Sequence, residues 1–337
     1  MPSSTFRLAT AFRNGRTKID DVYFEAPFKL MTPFVNGRHA DFIVMLASPG
    51  FLKGDDAHIV CDFGPGTDST MKTQSYEKVL DTADGEANRT IDLTARGDAK
   101  AVFLPFPVIP FHNSTFTNVT KAHISPESTF VYADVVTCGR VGMGERWQMR
   151  RFTNRLRVTL DESLASEEYR EALHAADSAS KPQPKRGRPR KPEHRSQLVF
   201  ADRLLLEPEH FDYEEMGMWR EYTHCGVLYA HIPETDPGYD PDALSDAEHS
   251  PYAASSGAAT GSKDPRLIPD TRQRIAAARV AAEDALIERI RTFAEETNFE
   301  GEFGASRVTN GICIRILTRR GDDAFDFIKS AAGIIAA

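Results

Sequence analysis

Leu104-Pro105-Phe106-Pro107-Val108-Ile109-Pro110-Phe111 sets three prolines among five large apolar residues. Each proline fixes φ and removes a backbone donor. The residue before each is pushed toward extended geometry. The spacing therefore predicts a stiff extended ribbon, neither a helix nor a central strand. The ribbon is too apolar to lie in water. It must be held against a core or against a partner, with its shape set in advance. Such a track suits a scaffold or a docking surface better than a catalytic centre.

The sequence on either side is also extended in character. Thr67 to Thr73 and Thr90 to Thr94 alternate with period two, and Gly, Pro, Asn and Asp break the runs. Ala40 to Ala47 and Phe130 to Thr137 are nearly continuous apolar runs, each ending in a turn signal, as expected of buried strands. Further strands are expected at 152–160, 198–206, 223–232 and 311–317. A short helix is expected from Ser166 to Ala176. One long helix is expected over 271–297, with Ile275, Ala278, Ala282, Leu286, Ile290 and Phe293 on its apolar face and Asp270 as its N-cap. No internal repeat is evident. These signals predict a mostly β chain, a single large β-sheet scaffold domain over 1–337 with a few helices. Flexible insertions are expected at about 177–197, rich in Pro, Lys and Arg, and at 233–264, acidic and then rich in Ala, Ser and Gly.

The chain has 337 residues and 41% hydrophobic content, enough for a substantial core. No apolar run approaches the ~20 residues of a membrane span, and no signal-peptide pattern opens the sequence, so a cytoplasmic location is expected. Cys61, Cys138, Cys225 and Cys313 lie far apart without CxxC spacing and are expected to be reduced and buried. Residues 181–195 hold seven basic side chains against one acid, a local +6 that leaves −14 on the rest of a chain whose total is −8. An acidic body favours cationic ligands or basic partners over nucleic acid.

Several motifs carry possible chemistry. Ser48-Pro49-Gly50-Phe51-Leu52-Lys53-Gly54-Asp55 lacks the Gly-Lys-Ser/Thr of a P-loop. It is either a structural turn or a mount that presents Asp55 into a cavity. Thr73-Gln74-Ser75-Tyr76-Glu77-Lys78 reads as a polar strand, either a cross-strand ladder or a hydrophilic wall that water and an ion could line. Tyr132-Ala133-Asp134 and Gly139-Arg140-Val141-Gly142-Met143-Gly144-Glu145 bring two acids and an arginine within short reach. They could form an Asp134–Arg140 ion pair or an acid–base pair of Asp134 and Glu145. No nucleophile with a matching base is evident. His224-Cys225 and His58/Cys61 point apart on strands, so a stable chelating site is not expected. Lys185 to Lys191 matches the AT-hook pattern, which lies in A·T-rich minor grooves.

The ordered set of these motifs resembles the urease accessory protein family UreD/UreH, closest to the UreH type. Pro27 to Phe34, the turn at 48–55, Thr73-Gln74 with Lys78, the ribbon with Pro105, Pro107 and Pro110, Tyr132, Gly139-Arg140 and Gly144-Glu145 occur in the family's order. The match is strong over about 20–160. It is weaker through Asp202, 216–224 and 304–317, while the two insertions depart from it. The resemblance implies a non-enzymatic maturation chaperone. It implies binding of apo-urease and of UreF, which recruits the GTPase UreG, with a dimeric assembly possible in the complex. Nickel would travel through a water-filled passage with no cofactor tightly bound. Isolated carboxylates suit such transit, being attractive enough to enter and weak enough to leave. Asp55, Asp134 and Glu145 are the candidate acids, and neutralising Asp134 or Glu145 is expected to lower urease activation without unfolding. The rival readings are a β-sandwich hydrolase using Asp134 and Glu145, and a DNA-associated adaptor using 185–191.

Overall fold

The computed structural model of the chain describes residues 3–180, 195–234 and 271–337. In chain order the strands are β1 (Ser3–Arg13), β2 (Arg16–Phe24), β3 (Phe28–Leu30), β4 (Phe34–Asn36), β5 (His39–Leu46), β6 (Asp56–Phe63), β7 (Asp68–Thr73), β8 (Glu77–Val79) and β9 (Ala87–Ala95). They continue with β10 (Lys100–Leu104), β11 (Val108–Pro110), β12 (Thr115–Ile124), β13 (Thr129–Thr137), β14 (Arg151–Asp161), β15 (Ser196–Leu206), β16 (His224–His231), β17 (Gly301–Arg307) and β18 (Ile312–Thr318). The described α-helices are α1 (Glu167–Ser180), α2 (Thr271–Glu296) and α3 (Gly321–Ala336).

The β-rich scaffold is built as two sheets. One has seven strands, ordered β15-β14-β12-β9-β6-β1-β2. The other has eleven, along β17-β18-β16-β13-β10-β7-β5-β3 with β4, β8 and β11 on branches. From β5 to β14 the long strands alternate between the sheets. Neighbours within each sheet are parallel: β5, β7, β10 and β13 in one, β6, β9, β12 and β14 in the other. A parallel pair needs a long crossover connection. Here that crossover is a strand of the opposite sheet, so from β5 to β14 the chain winds as a flattened solenoid with no α-helix in the turns, only a single 3-10 turn at Val141–Met143.

Two apolar layers result. The inner one, between the sheets, holds Phe6, Phe42, Phe63, Phe116 and Phe130. The outer one lies between the larger sheet and α2 and α3, where Val131, Leu228, Ile314 and Ile316 meet Ile290, Phe327 and Ile328. Strand β13 is buried on both faces, which is why its sequence runs apolar without alternation.

The proline ribbon is held by the protein's own core. Phe106 stacks on Phe325 of α3 at 4.2 Å between ring centroids, and Tyr76 meets it edge-on at 5.8 Å. One expectation is corrected: Val108–Pro110 is a short strand with partners on both sides, β8 and β13. Val108 and Ile109 keep their N–H groups, and the donor-free Pro110 falls at the strand's last position, where its loss costs least.

Helix α2 also differs from the expected stripe. Ala282 is exposed, while Glu283 is buried beside Leu286, Ile287 and Ile290. The Glu283 carboxylate accepts the Gly311 backbone N–H at 2.6 Å, so an acid takes the core-facing place to cap the turn between β17 and β18. Asp270, the expected N-cap, lies outside the described residues. In α1, Ser166 Oγ accepts the Tyr169 N–H at 3.1 Å as an N-cap. That helix continues to Ser180 and β15 begins at Ser196, so the first expected insertion is shorter at both ends. Residues 181–194, with the AT-hook-like run, and 235–264 lie outside the described residues. No described helix is long and apolar enough to cross a membrane.

His224 starts β16 against the N-terminus of α3, with Thr223 Oγ1 2.7 Å from its Nδ1. A Cβ added at Gly321 would meet its Nε2 at 2.9 Å. Burial pushes the imidazole down from 6.5 to about 4, with Asp322 opposing. A folded-state value below the unfolded one means stability is present above 6.5 and lost as pH falls toward about 4. A His224→Gln variant is expected to remove a loss on the order of 3 kcal/mol across that window. Urea unfolding at pH 7 and pH 4.5 measures it. Equal acid sensitivity in the two proteins contradicts it.

Candidate functional site

Two of the sequence motifs converge on one cavity. The turn Ser48-Pro49-Gly50 and the segment Thr73-Gln74-Ser75-Tyr76-Glu77-Lys78 together line a space of about 70 Å³. The turn is sewn to β8: Phe51 N–H donates to Lys78 O at 2.8 Å, and Leu80 N–H returns to Phe51 O at 2.9 Å. Gly50 has φ +153, and a Cβ there would sit 2.5 Å from Lys78 O, so only glycine lets the strands close. The ribbon forms the neighbouring wall. Pro107 O accepts the Glu77 N–H at 3.0 Å, and Thr73 Oγ1 accepts the Phe106 N–H at 2.9 Å.

Glu77 carries this cavity inward. Its carboxylate pairs with Arg89, a residue only 1% exposed. Arg89 Nε donates to Asn118 Oδ1 at 2.8 Å. Asn118 Nδ2 donates to Asn154 Oδ1 at 2.7 Å and to Asp134 Oδ2 at 3.1 Å. Asp134 also accepts the Tyr132 hydroxyl at 2.8 Å, and Thr120 Oγ1 lies 3.0 Å from that hydroxyl. Beyond, Asp134 and Asn154 line a cavity of about 10 Å³, room for one water, together with Asp202, Cys225 and Arg315. Asp202 pairs with Arg315, whose side chain is half exposed. A polar tract thus enters the inside of the sandwich, hydrogen-bonded from Glu77 to Asp134 and Asn154 and separated from the Asp202–Arg315 pair by the small cavity.

Register explains the tract. Arg89 pairs with Asn118, and Asn118 with Asn154, on three successive parallel strands. Parallel in-register strands stack like positions on one face, so the three side chains form a ladder along the solenoid. Phe116-Thr117-Asn118 and Phe152-Thr153-Asn154 are the same tripeptide stacked in register. This is a short internal repeat that inspection of the sequence alone missed. The signal was present. In β9, Ala87, Arg89, Ile91, Leu93 and Ala95 occupy the inward positions, so an arginine stands on an otherwise apolar face.

Electrostatics in the tract follow burial. Desolvation raises the Asp134 carboxyl above the usual carboxylate range, with Arg89 opposing. Desolvation also lifts Tyr132 well above an ordinary tyrosine, so it stays a neutral donor. For Arg89, burial works against the charge, but Glu77 and Asp134 outweigh it and raise its value.

The other expected acids lie elsewhere. Asp55 Oδ2 accepts the Leu52 N–H at 2.7 Å, closing the surface turn at 52–55. Glu145 pairs with Arg140 and accepts the His112 N–H, tying the turn at Gly139 and Gly144 to the end of the ribbon. The Asp134–Arg140 pair is therefore not formed. Asp134 and Glu145 share no hydrogen-bond partner, so the geometry supplies no acid–base pair. His224 and Cys225 face opposite ways, Cys225 toward the small cavity and His224 toward α3. Among the described residues no group of three His, Cys, Asp or Glu is placed to hold a metal ion.

The UreD urease accessory protein family matches the chain over residues 3–337. The chain belongs to that family. The urease accessory protein UreH of Helicobacter pylori strain HPAG1 is 30% identical over 223 residues, 66% of this chain and 71% of the relative. The UreH protein of Helicobacter hepaticus is 26% identical over 212 residues, 63% and 71% of the two chains. The UreD protein of Acetivibrio thermocellus is 32% identical over 148 residues, 43% and 56%. Membership supports a role in urease maturation, and these relatives are named as accessory proteins, not as catalysts. Within the family fold, the motifs at 48–50, 73–78, 104–111 and 132–134 surround or build the polar tract, whereas 139–145 builds a turn that braces the ribbon.

Proposed function

We infer that this chain is a urease maturation chaperone that passes nickel to apo-urease along the tract from Glu77 to Asp134 and Asp202. The observation that carries this reading is the convergence of separate motifs on a buried polar line, Glu77, Asn118, Asn154 and Asp134, joined through the Arg89 guanidinium. Nickel(II) is suited best by imidazole nitrogen, so carboxylate and water hold it only loosely. Single carboxylates spaced along a route attract a cation without chelating it, which transit requires. Of the candidate acids, Asp134 stands inside the tract, while Asp55 and Glu145 bond to none of its members. Nickel is cargo here, held by no resident site.

Apo-urease and UreF are the partners, at opposite ends of the route, with UreG recruited through UreF. The protein acts as a carrier, in the reducing environment of the cytoplasm.

Maturation in vitro tests the passage. Apo-urease is incubated with this protein, the other accessory proteins and nickel supplied through their complex, in excess EDTA. Nickel moving inside the protein is shielded, so urease is expected to gain most of the nickel it gains without chelator. Complete interception by EDTA rejects an internal route.

A further inference from the structure

Arg89 is the only buried lysine or arginine among the described residues. Its guanidinium lies inside the tract, between the Glu77 carboxylate and Asn118 Oδ1. The far end of Asn118 holds Asp134. Arg89 Nη2 has no hydrogen-bond partner among the described residues, so the cation is not fully satisfied by its neighbours. Stability alone is a weak reason for such an arrangement, because a buried ion pair is often matched by well-packed apolar residues. A carboxylate and an amide oxygen facing one gap are the donors that a divalent cation takes. Both are occupied by a side chain that stays charged at any physiological pH.

The geometry points to Arg89 as a built-in counter-cation. It holds, on Glu77 and Asn118, the place where a divalent metal ion would otherwise settle, and so keeps cargo from being trapped in the tract. This assignment rests on the nickel-transit reading, for which a deep buried site would be a dead end. With the guanidinium present, an entering cation meets a like charge at short range in a medium that screens poorly. It competes for Glu77 and moves on. With the guanidinium removed, Glu77, Asn118 and, one step away, Asp134 form an oxygen-lined site with uncompensated negative charge.

The test is direct nickel binding by the purified full chain, followed by equilibrium dialysis and by thermal unfolding with and without NiCl2. Arg89→Gln is expected to bind one additional nickel ion per chain, at least tenfold tighter than any ion the wild type holds, and to melt higher with nickel. Arg89→Lys keeps a cation and is expected to gain no such ion. Glu77→Gln/Arg89→Gln removes both charges and is expected to lose the gain. Folding is checked by circular dichroism and gel filtration. Should Arg89→Gln fold poorly, nickel is expected to rescue it by binding the native state alone. A folded Arg89→Gln with no added nickel, a double variant that binds as tightly, or a misfolded Arg89→Gln that nickel does not rescue each overturns the assignment. Nickel uptake by Arg89→Gln supports it whether or not urease still matures. Lost maturation without uptake overturns it and leaves the transit reading in place.

Discussion

Urease matured with an Asp134→Asn variant is expected to contain no more than about a tenth of the nickel delivered by the wild type. The expectation follows from charge. A carboxylate near a divalent cation contributes several kcal/mol of attraction even at an effective dielectric of about 20. Adding only ~1.4 kcal/mol to the barrier slows passage tenfold. The fold is expected to survive, because asparagine has the same shape and its amide oxygen can accept from Asn118 and Tyr132. Stability should rise at neutral pH. Asp134 is held above its usual range by burial. A raised folded-state value means its favourable contribution is present at low pH and lost as pH rises through that value. The neutral variant has no such loss, so its melting temperature should gain on the wild type from pH 4 to pH 8. Glu145→Gln is the contrast. Glu145 braces the ribbon through Arg140 and His112, so its neutralisation should appear as lost stability. Nickel content measured by mass spectrometry on urease matured with folded Asp134→Asn decides the point, and an unchanged value rejects Asp134 as part of the route.

Gly50→Ala is expected to lower stability by roughly 3 kcal/mol, through backbone strain and overpacking together. That is about 5 °C in melting temperature for a chain of this size. The added methyl meets a backbone oxygen, Lys78 O at 2.5 Å, at a φ of +153 that side chains rarely adopt. Backbone cannot swing away as a side-chain tip can, so the 48–51 turn must part from β8. That separation reshapes the cavity leading to Glu77, and maturation should fall along with stability. Gly37→Ala supplies the control. It also has positive φ, at +59, but nothing lies within 4 Å, so its cost should stay near 1 kcal/mol. Similar melting temperatures for the two variants would remove the steric argument.

Much of the fold was legible in the residues. The strands at 39–46, 129–137 and 151–161, helices α1 and α2 and the ribbon all follow from local signals: period-two alternation, apolar periodicity and runs, and proline spacing, whereas helix α3 was not among the expected elements. The site was legible only in pieces. Asp134 and Tyr132 stood out as polar residues in an apolar strand. Glu145 stood out too, yet its partner is Arg140 five residues away, a local clamp that spacing alone could not separate from a cavity acid. Glu77 was visible as part of a polar segment, but nothing nearby in the chain announced Arg89 as its partner.

Local sequence, by itself, determined that this chain is a mostly β scaffold braced by a rigid ribbon, because alternation and proline act within a few bonds. The joining of Glu77, Arg89, Asn118, Asp134 and Asn154 into one buried line was decided by tertiary structure alone. Those residues belong to strands β8, β9, β12, β13 and β14, and they meet only when the solenoid fixes parallel register within one sheet and faces it against the other. Register depends on how whole strands bury their apolar faces together, a global outcome that no single stretch of residues contains.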